Sequence, residues 1–223
     1  MASYNPADRN DSILWARNVL EKKEKYLILD TETTGLKDDD EIIQMAIIDL
    51  GKNVLFDTLL KPKLKNSISR DATNIHGIKK SDLIDAPYFE TAVNKFVKVI
   101  DGKTILIYNA EFDMRLLQQT CYANRCDRFP FSYWCVMKEY SKFIGAWNEY
   151  HNDYKYQKLR GGDHTALGDC FATLDTIERM ARAKTIVLKK EIVPDPIIKI
   201  KEIKNPSEIE NTPEIEKPWW KFW

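Results

Sequence analysis

The segment Leu27-Ile28-Leu29-Asp30-Thr31-Glu32-Thr33-Thr34-Gly35-Leu36 ends an apolar run on two carboxylates placed two positions apart. Alternate residues of a strand point to one face with Cα atoms about 6.5–7 Å apart, so Asp30 and Glu32 can converge on one divalent cation. The same string also satisfies ordinary turn chemistry, because Asp-x-Thr-x-x-Gly serves as a turn signal. Two further acidic positions bear on the choice. The β-branched run Ile105–Tyr108 leads into a helical pattern with Asn109 at the cap position, which puts Asp113 in the first helical turn. Gly161-Gly162-Asp163-His164-Thr165 precedes a periodic stretch running to about Ala183, with Asp169 near its start. A single carboxylate in a first turn is favoured by the helix dipole alone. Four carried by strand and helix ends are a usual source of ligands for hard cations.

Four anions in a small volume repel and take up protons unless cations neutralise them. An all-oxygen donor set selects Mg²⁺ or Mn²⁺ over zinc, which prefers His and Cys. His164 lies five residues before Asp169, about 500° of helical rotation, and so cannot share its helical face. A loop position before the helix is expected, from which its ring could act as a general base near neutral pH. A lone loop His is also an ordinary surface residue.

These blocks together resemble the DEDDh exonucleases, the proofreading-exonuclease-like group of the ribonuclease H-like superfamily that removes nucleotides from 3′ ends. The resemblance rests on Asp30 and Glu32 in Leu-Asp-Thr-Glu-Thr-Thr-Gly-Leu, Asp113 in Tyr-Asn-Ala-Glu-Phe-Asp, and His164 with Asp169 in His-Thr-Ala-Leu-Gly-Asp. Asn74-Ile75-His76-Gly77-Ile78 resembles the family's His-Gly-Ile segment, and the matching blocks span about residues 24–183. The sister subgroup carries a Tyr four residues before the last Asp; Thr165 stands there instead. The resemblance implies a two-metal phosphodiester hydrolase using two Mg²⁺ (or Mn²⁺). Asp30 would bridge the metals, Glu32 and Asp169 would complete one site, Asp113 would hold the other, and His164 would deprotonate the attacking water. The backbone at Thr33 and Thr34 would receive the terminal 3′-OH and Leu36 would wedge against the last base. Phe112 would stack on a base, unless it is a plain core residue, and His76 and Ile78 would line the terminal-nucleotide pocket. A non-catalytic accessory protein that kept this fold for binding is the alternative.

The 34 basic residues balance the 34 acidic ones, so global attraction to nucleic acid is not the driving force. Arg115, Lys155, Lys158 and Arg160 are candidates for local phosphate contacts. The acidic run Asp38-Asp39-Asp40-Glu41 reads as a solvated loop. Cys121, Cys126, Cys135 and Cys170 lack a paired metal spacing, which favours free thiols in a reducing, cytoplasmic setting. Neither a membrane span nor a signal peptide is visible.

The elements expected to position these groups are a helix from Asp11 or Ser12 to Lys23 and strands near 26–30, 42–49 and 54–60. A mostly looped segment over 63–87 follows, then a helix near 89–100, a strand at 104–108, the helix carrying Asp113, and a strand-helix pair over 132–145. The aromatic-rich stretch 147–156 reads as a helix packed on the core or as a guide for a strand entering the site, and a last helix covers about 166–183. That order fits an α/β fold, a ribonuclease H-like mixed sheet flanked by helices with an extended C-terminal tail. The expected organisation is an N-terminal helical extension over 1–23, an exonuclease domain over 24–184, and a linker and tail over 185–223. Five of the nine prolines lie from Pro194 to Pro218. The tail ends in Trp219, Trp220, Phe222 and Trp223, which would bind a protein partner.

Overall fold

In a computed structural model, residues 5–65, 67–127 and 129–187 are described. The tail aromatics Trp219, Trp220, Phe222 and Trp223 lie outside the described residues. The first compact unit runs Met1–Leu188. Its described part is built on a five-stranded sheet in the order β3-β2-β1-β4-β5. These strands are β1 (Tyr26–Thr33), β2 (Ile42–Asp49), β3 (Val54–Leu59), β4 (Thr104–Ile107) and β5 (Ser132–Cys135). β1 is central, antiparallel to β2 and parallel to β4, and β4 is parallel to β5. This is the expected ribonuclease H-like mixed sheet.

Alternation along β1 decides where its polar end can point. Leu27 and Leu29 pack toward α3 (Phe89–Ile100) and α4 (Ala110–Ala123). Ile28 packs on the opposite face with residues of α1 (Pro6–Glu21), α5 (Val136–Ile144) and α6 (Ala166–Arg182). Two helical layers therefore sandwich the sheet, as a strand buried on both faces requires. Continued alternation aims Asp30 and Glu32 toward the α6 side and Thr31 toward the α4 side.

Several local expectations are revised. α1 starts at Pro6, capped by the Asn5 side chain accepting from the Ala7 N–H, rather than at Asp11 or Ser12; Pro at a first helical position is preorganised for that start. Ile13, Ala16 and Val19 are fully buried in the sheet's core, so α1 is part of it. The segment 63–87 holds α2 (Arg70–His76), capped by Ser69 and ended by Gly77 at φ 74°. The stretch 147–156 is a hairpin of β6 (Trp147–Asn148) and β7 (Asp153–Tyr154) instead of a helix. Its Trp147 and Tyr154 rings meet edge to face at 5.1 Å, the cross-strand contact that stabilises short ribbons. No helix among the described residues is long and apolar enough to cross a membrane.

Candidate active site

Asp30, Glu32 and Asp169 each offer a carboxylate oxygen, and these atoms lie within 4.8 Å of one another. β1 supplies the first two and the first turns of α6 supply the third. Asp113 reaches the cluster from the other face of the sheet. It is 4% exposed, and the Thr31 hydroxyl donates to its Oδ1 at 2.7 Å. Thr31, between the two strand carboxylates, is thus the residue that ties α4 to the acidic strand end.

The register of α6 is fixed at its first residue. The Ala166 N–H, an unsatisfied donor of the helix start, donates to Gln44 Oε1 on β2 at 3.1 Å. The Thr165 hydroxyl caps the helix by accepting from the Gly168 N–H, and Cys170 Sγ reaches the Ile28 and Ala46 carbonyls. Sequence reasoning passed over Gln44 and Thr31. The available signal for Gln44 was one amide inside the apolar run Ile42-Ile43-Gln44-Met45-Ala46.

The loop before α6 closes against Asp169. The His164 N–H donates to Asp169 Oδ1 at 3.2 Å with His164 itself at φ 61°. Gly161 holds φ 85°. A Cβ added at Gly162 would sit 2.2 Å from Asp169 Oδ1, so any side chain there would push the carboxylate away. The His164 ring is exposed on this loop, as its spacing from Asp169 implied. Asp163 accepts from the Thr165 N–H and hydroxyl, which hold its carboxyl below the usual range.

The electrostatics record what this crowding costs. Burial, then the charges of Asp113, Asp169 and Glu32, push Asp30 well above the usual carboxylate range. Glu32 is pushed up to about 8 by burial and then by Asp169 and Asp113. Burial lifts Asp113 to about 7 against the opposing Thr31 hydrogen bond, and raises Asp169 as well. In the unfolded chain all four ionise near pH 4. Between about pH 4.5 and 8 the folded, metal-free protein therefore holds more protons than the unfolded chain, and its stability falls as pH rises. The melting temperature in EDTA is expected to drop steadily from pH 5 to 8; a rise across that window would show that the carboxylates do not share one buried volume.

The candidate substrate contacts lie around the end of β1. The Thr33 hydroxyl donates to the Gly35 carbonyl and the Thr34 hydroxyl to Asp40. The Thr34 N–H donates to the Glu41 carbonyl. His76 is buried, with Nδ1 accepting from the Ile78 N–H, which leaves Nε2–H to donate to the Thr33 carbonyl at 3.1 Å. His76 thereby braces the strand end, while Ile78 is half-buried. Leu36 is 75% exposed beside this turn. Phe112 is half-buried with the Arg115 guanidinium 5.4 Å from its ring centre. The acidic run departs from expectation: Asp38 and Asp39 are exposed, but Asp40 and Glu41 are 3% and 2% exposed. Glu41 accepts N–H groups of Lys63, Leu64 and Lys65 at 2.7–2.8 Å, and this satisfies its buried charge.

Comparison with known proteins agrees with this geometry. Residues 27–177 match the RNase_T exonuclease family. An uncharacterised exonuclease of Escherichia phage 186 is 32% identical over 173 residues, covering 70% of this chain and 88% of the phage protein. The epsilon subunit of DNA polymerase III from Rickettsia typhi is 38% identical over 99 residues, which span 42% of each protein. The nuclease domain of 3′hExo, a DEDDh family member, superposes with a TM-score of 0.52 at 15% identity, covering 70% of this chain and 90% of that one. Escherichia coli exonuclease I in complex with a dA16 oligonucleotide gives 0.54 at 19% identity, covering 70% and 41%. Likeness at that identity bears on the fold, whereas the sequence matches bear on ancestry. With a family match over residues 27–177 and a relative 32% identical over most of its length, this chain belongs to the RNase_T exonuclease family.

Proposed function

We propose that this protein hydrolyses nucleic acid stepwise from a free 3′ end, releasing mononucleotides, and that it does so with two divalent cations, Mg²⁺ or Mn²⁺. The observation that supports the reading most directly is the convergence of Asp30, Glu32 and Asp169 with Asp113 buried against them. The donor set fits such ions: it is all oxygen, and its carboxylates are poorly tolerated as bare anions. Asp30, Glu32 and Asp169 would hold one cation, and Asp30 with Asp113 the other. When bound, such a pair supplies charge stabilisation at the scissile phosphate and the departing 3′ oxygen.

The chain's own groups do the rest. His164, on an exposed loop pinned to Asp169 by its own N–H, takes the proton of the attacking water. Leu36 wedges against the terminal base and Phe112 offers a ring to it. Thr33 and Thr34 shape the turn that meets the terminal sugar, and His76 and Ile78 hold that turn from behind. Four unpaired cysteines suit a reducing, cytoplasmic compartment. The substrate is a single-stranded 3′ end; Escherichia coli exonuclease I, similar in fold, binds a dA16 oligonucleotide.

The test is to incubate end-labelled single-stranded DNA, duplex DNA and RNA side by side with Mg²⁺. A ladder shrinking from the 3′ end and arrested by EDTA is expected; internal fragments, or cleavage that persists in EDTA, would overturn the proposal. Trp219, Trp220, Phe222 and Trp223 are assigned as a docking peptide for a protein partner, because aromatic residues are preferred anchors and a tethered site raises local concentration. Deleting 218–223 should leave cleavage of free oligonucleotides unchanged. A lowered melting temperature of the truncated protein would show that the tail packs on its own chain instead.

A further inference from the structure

A cleft of about 360 Å³ opens between β5, α5 and the β6–β7 hairpin. Three features distinguish it from a generic surface dent. Its walls carry aromatic faces open to solvent: Trp134 is 45% exposed and Tyr156 55% exposed. The Trp134 ring is itself backed by Trp15 of α1 at a 6.0 Å centroid separation, which leaves a firm platform. Ser141, 1% exposed and part of the lining, has a hydroxyl with no hydrogen-bond partner among the described residues. Helical Ser hydroxyls ordinarily find a carbonyl one turn back, so an idle buried one is a polar group awaiting a partner.

The cleft is linked to the elements that carry the candidate active site. Lys138, on its rim, forms an ion pair with Glu111, two residues from Asp113 on α4. Tyr156 begins the short segment that runs through Gln157, bonded by the Tyr108 hydroxyl, to the Gly161–His164 loop. Cys135, another lining residue, ends β5, the parallel neighbour of β4, whose own end leads into α4.

We propose that this cleft is a stacking subsite for one base of the substrate strand, upstream of the 3′ nucleotide in the acidic site. This rests on the exonuclease reading above. Its volume suits a single nucleotide, and aromatic faces accept any base without reading its sequence. The charges in the cleft nearly cancel. Lys138 is paired with Glu111, Lys142 with Glu139, and Asp153 adds one more anion. Affinity here therefore comes from stacking rather than bulk attraction. Lys138, whose exposed ion pair costs little to break, can exchange its carboxylate for a phosphate oxygen. A cleft for a free anion would show the opposite balance, with unpaired cations and no platform.

The experiment uses the full chain in EDTA, which stops cleavage, and measures anisotropy of labelled 12-nucleotide DNAs that each lack one base at a different distance from the 3′ end. For the unmodified protein, loss of one particular upstream base should weaken binding about 5- to 100-fold, the range for one stacked base. Tyr156→Ala should weaken the intact strand by a similar factor and erase the dependence on that base, and Tyr156→Phe should restore both. With Mg²⁺, Tyr156→Ala should raise KM for the 12-mer and leave dinucleotide cleavage unchanged. If every abasic position beyond the last two binds alike, or Tyr156→Ala changes dinucleotide and 12-mer cleavage equally, the cleft is not a base subsite although the exonuclease reading stands. Failure to bind or cleave any strand would remove both.

Discussion

Asp30→Ala protein is expected to fold, to melt higher than the unmodified protein at neutral pH in EDTA, and to have lost cleavage by at least about 10³-fold. The loss follows from the charge stabilisation that bound cations supply, worth several kcal/mol, with each 1.4 kcal/mol a factor of ten. The gain in stability follows from the site itself. Asp30 is half-buried against three other carboxylates that, with desolvation, raise its proton affinity, so removing it relieves desolvation and repulsion together. Asp113→Ala should lose activity to a similar extent but gain less stability, because it also strips the Thr31 hydroxyl of its buried acceptor. Circular dichroism, thermal melts and timed cleavage of a labelled oligonucleotide check all three outcomes. Undiminished cleavage by Asp30→Ala would end the assignment of this site.

The opposed effects on stability and turnover explain why the acidic block was visible in the sequence at all. Chemistry confined Asp30, Glu32, Asp113 and Asp169 to element ends, and strand period and helix-start signals locate such ends from local residues alone. The strands themselves were legible for the same reason, since β1, β2 and β4 are strongly apolar runs whose type depends little on partners. What local reading missed depends on partners far along the chain. Glu41 sits in an acidic run that looks solvated, yet its acceptors' partners are N–H groups 22–24 residues away. α2 carried both of its signals, Ser69 as cap and Gly77 as left-handed stop, but seven residues are too few to display an amphipathic period. The hairpin at 147–154 failed differently. Its aromatics suited a helix face equally well, and only the pairing of Trp147 with Tyr154 decides for strands. Thr31 carried no role in the sequence, whereas its hydroxyl, aimed at the opposite face, binds Asp113 of the other helical layer.

In the proposed mechanism His164 takes the proton while the carboxylates hold the cations, and His164→Ala is expected to slow cleavage about 10²–10⁴-fold, the usual range for a general base. The structure favours a clean separation because the His164 link to Asp169 is made by its backbone N–H, which any substitution except Pro retains. The ring itself is exposed. One complication is the backbone at φ 61°, a conformation that Ala adopts with strain and Asn adopts more readily. His164→Asn is therefore the companion variant: it keeps the loop's shape while lacking an imidazole to take the proton. Both variants should bind Mn²⁺ as tightly as the unmodified protein, measured by calorimetry. If Asn restores the rate, His164 acts through the loop's conformation rather than as a base; if Mn²⁺ affinity falls in step with rate, the ring is a ligand and the division of labour drawn here is wrong.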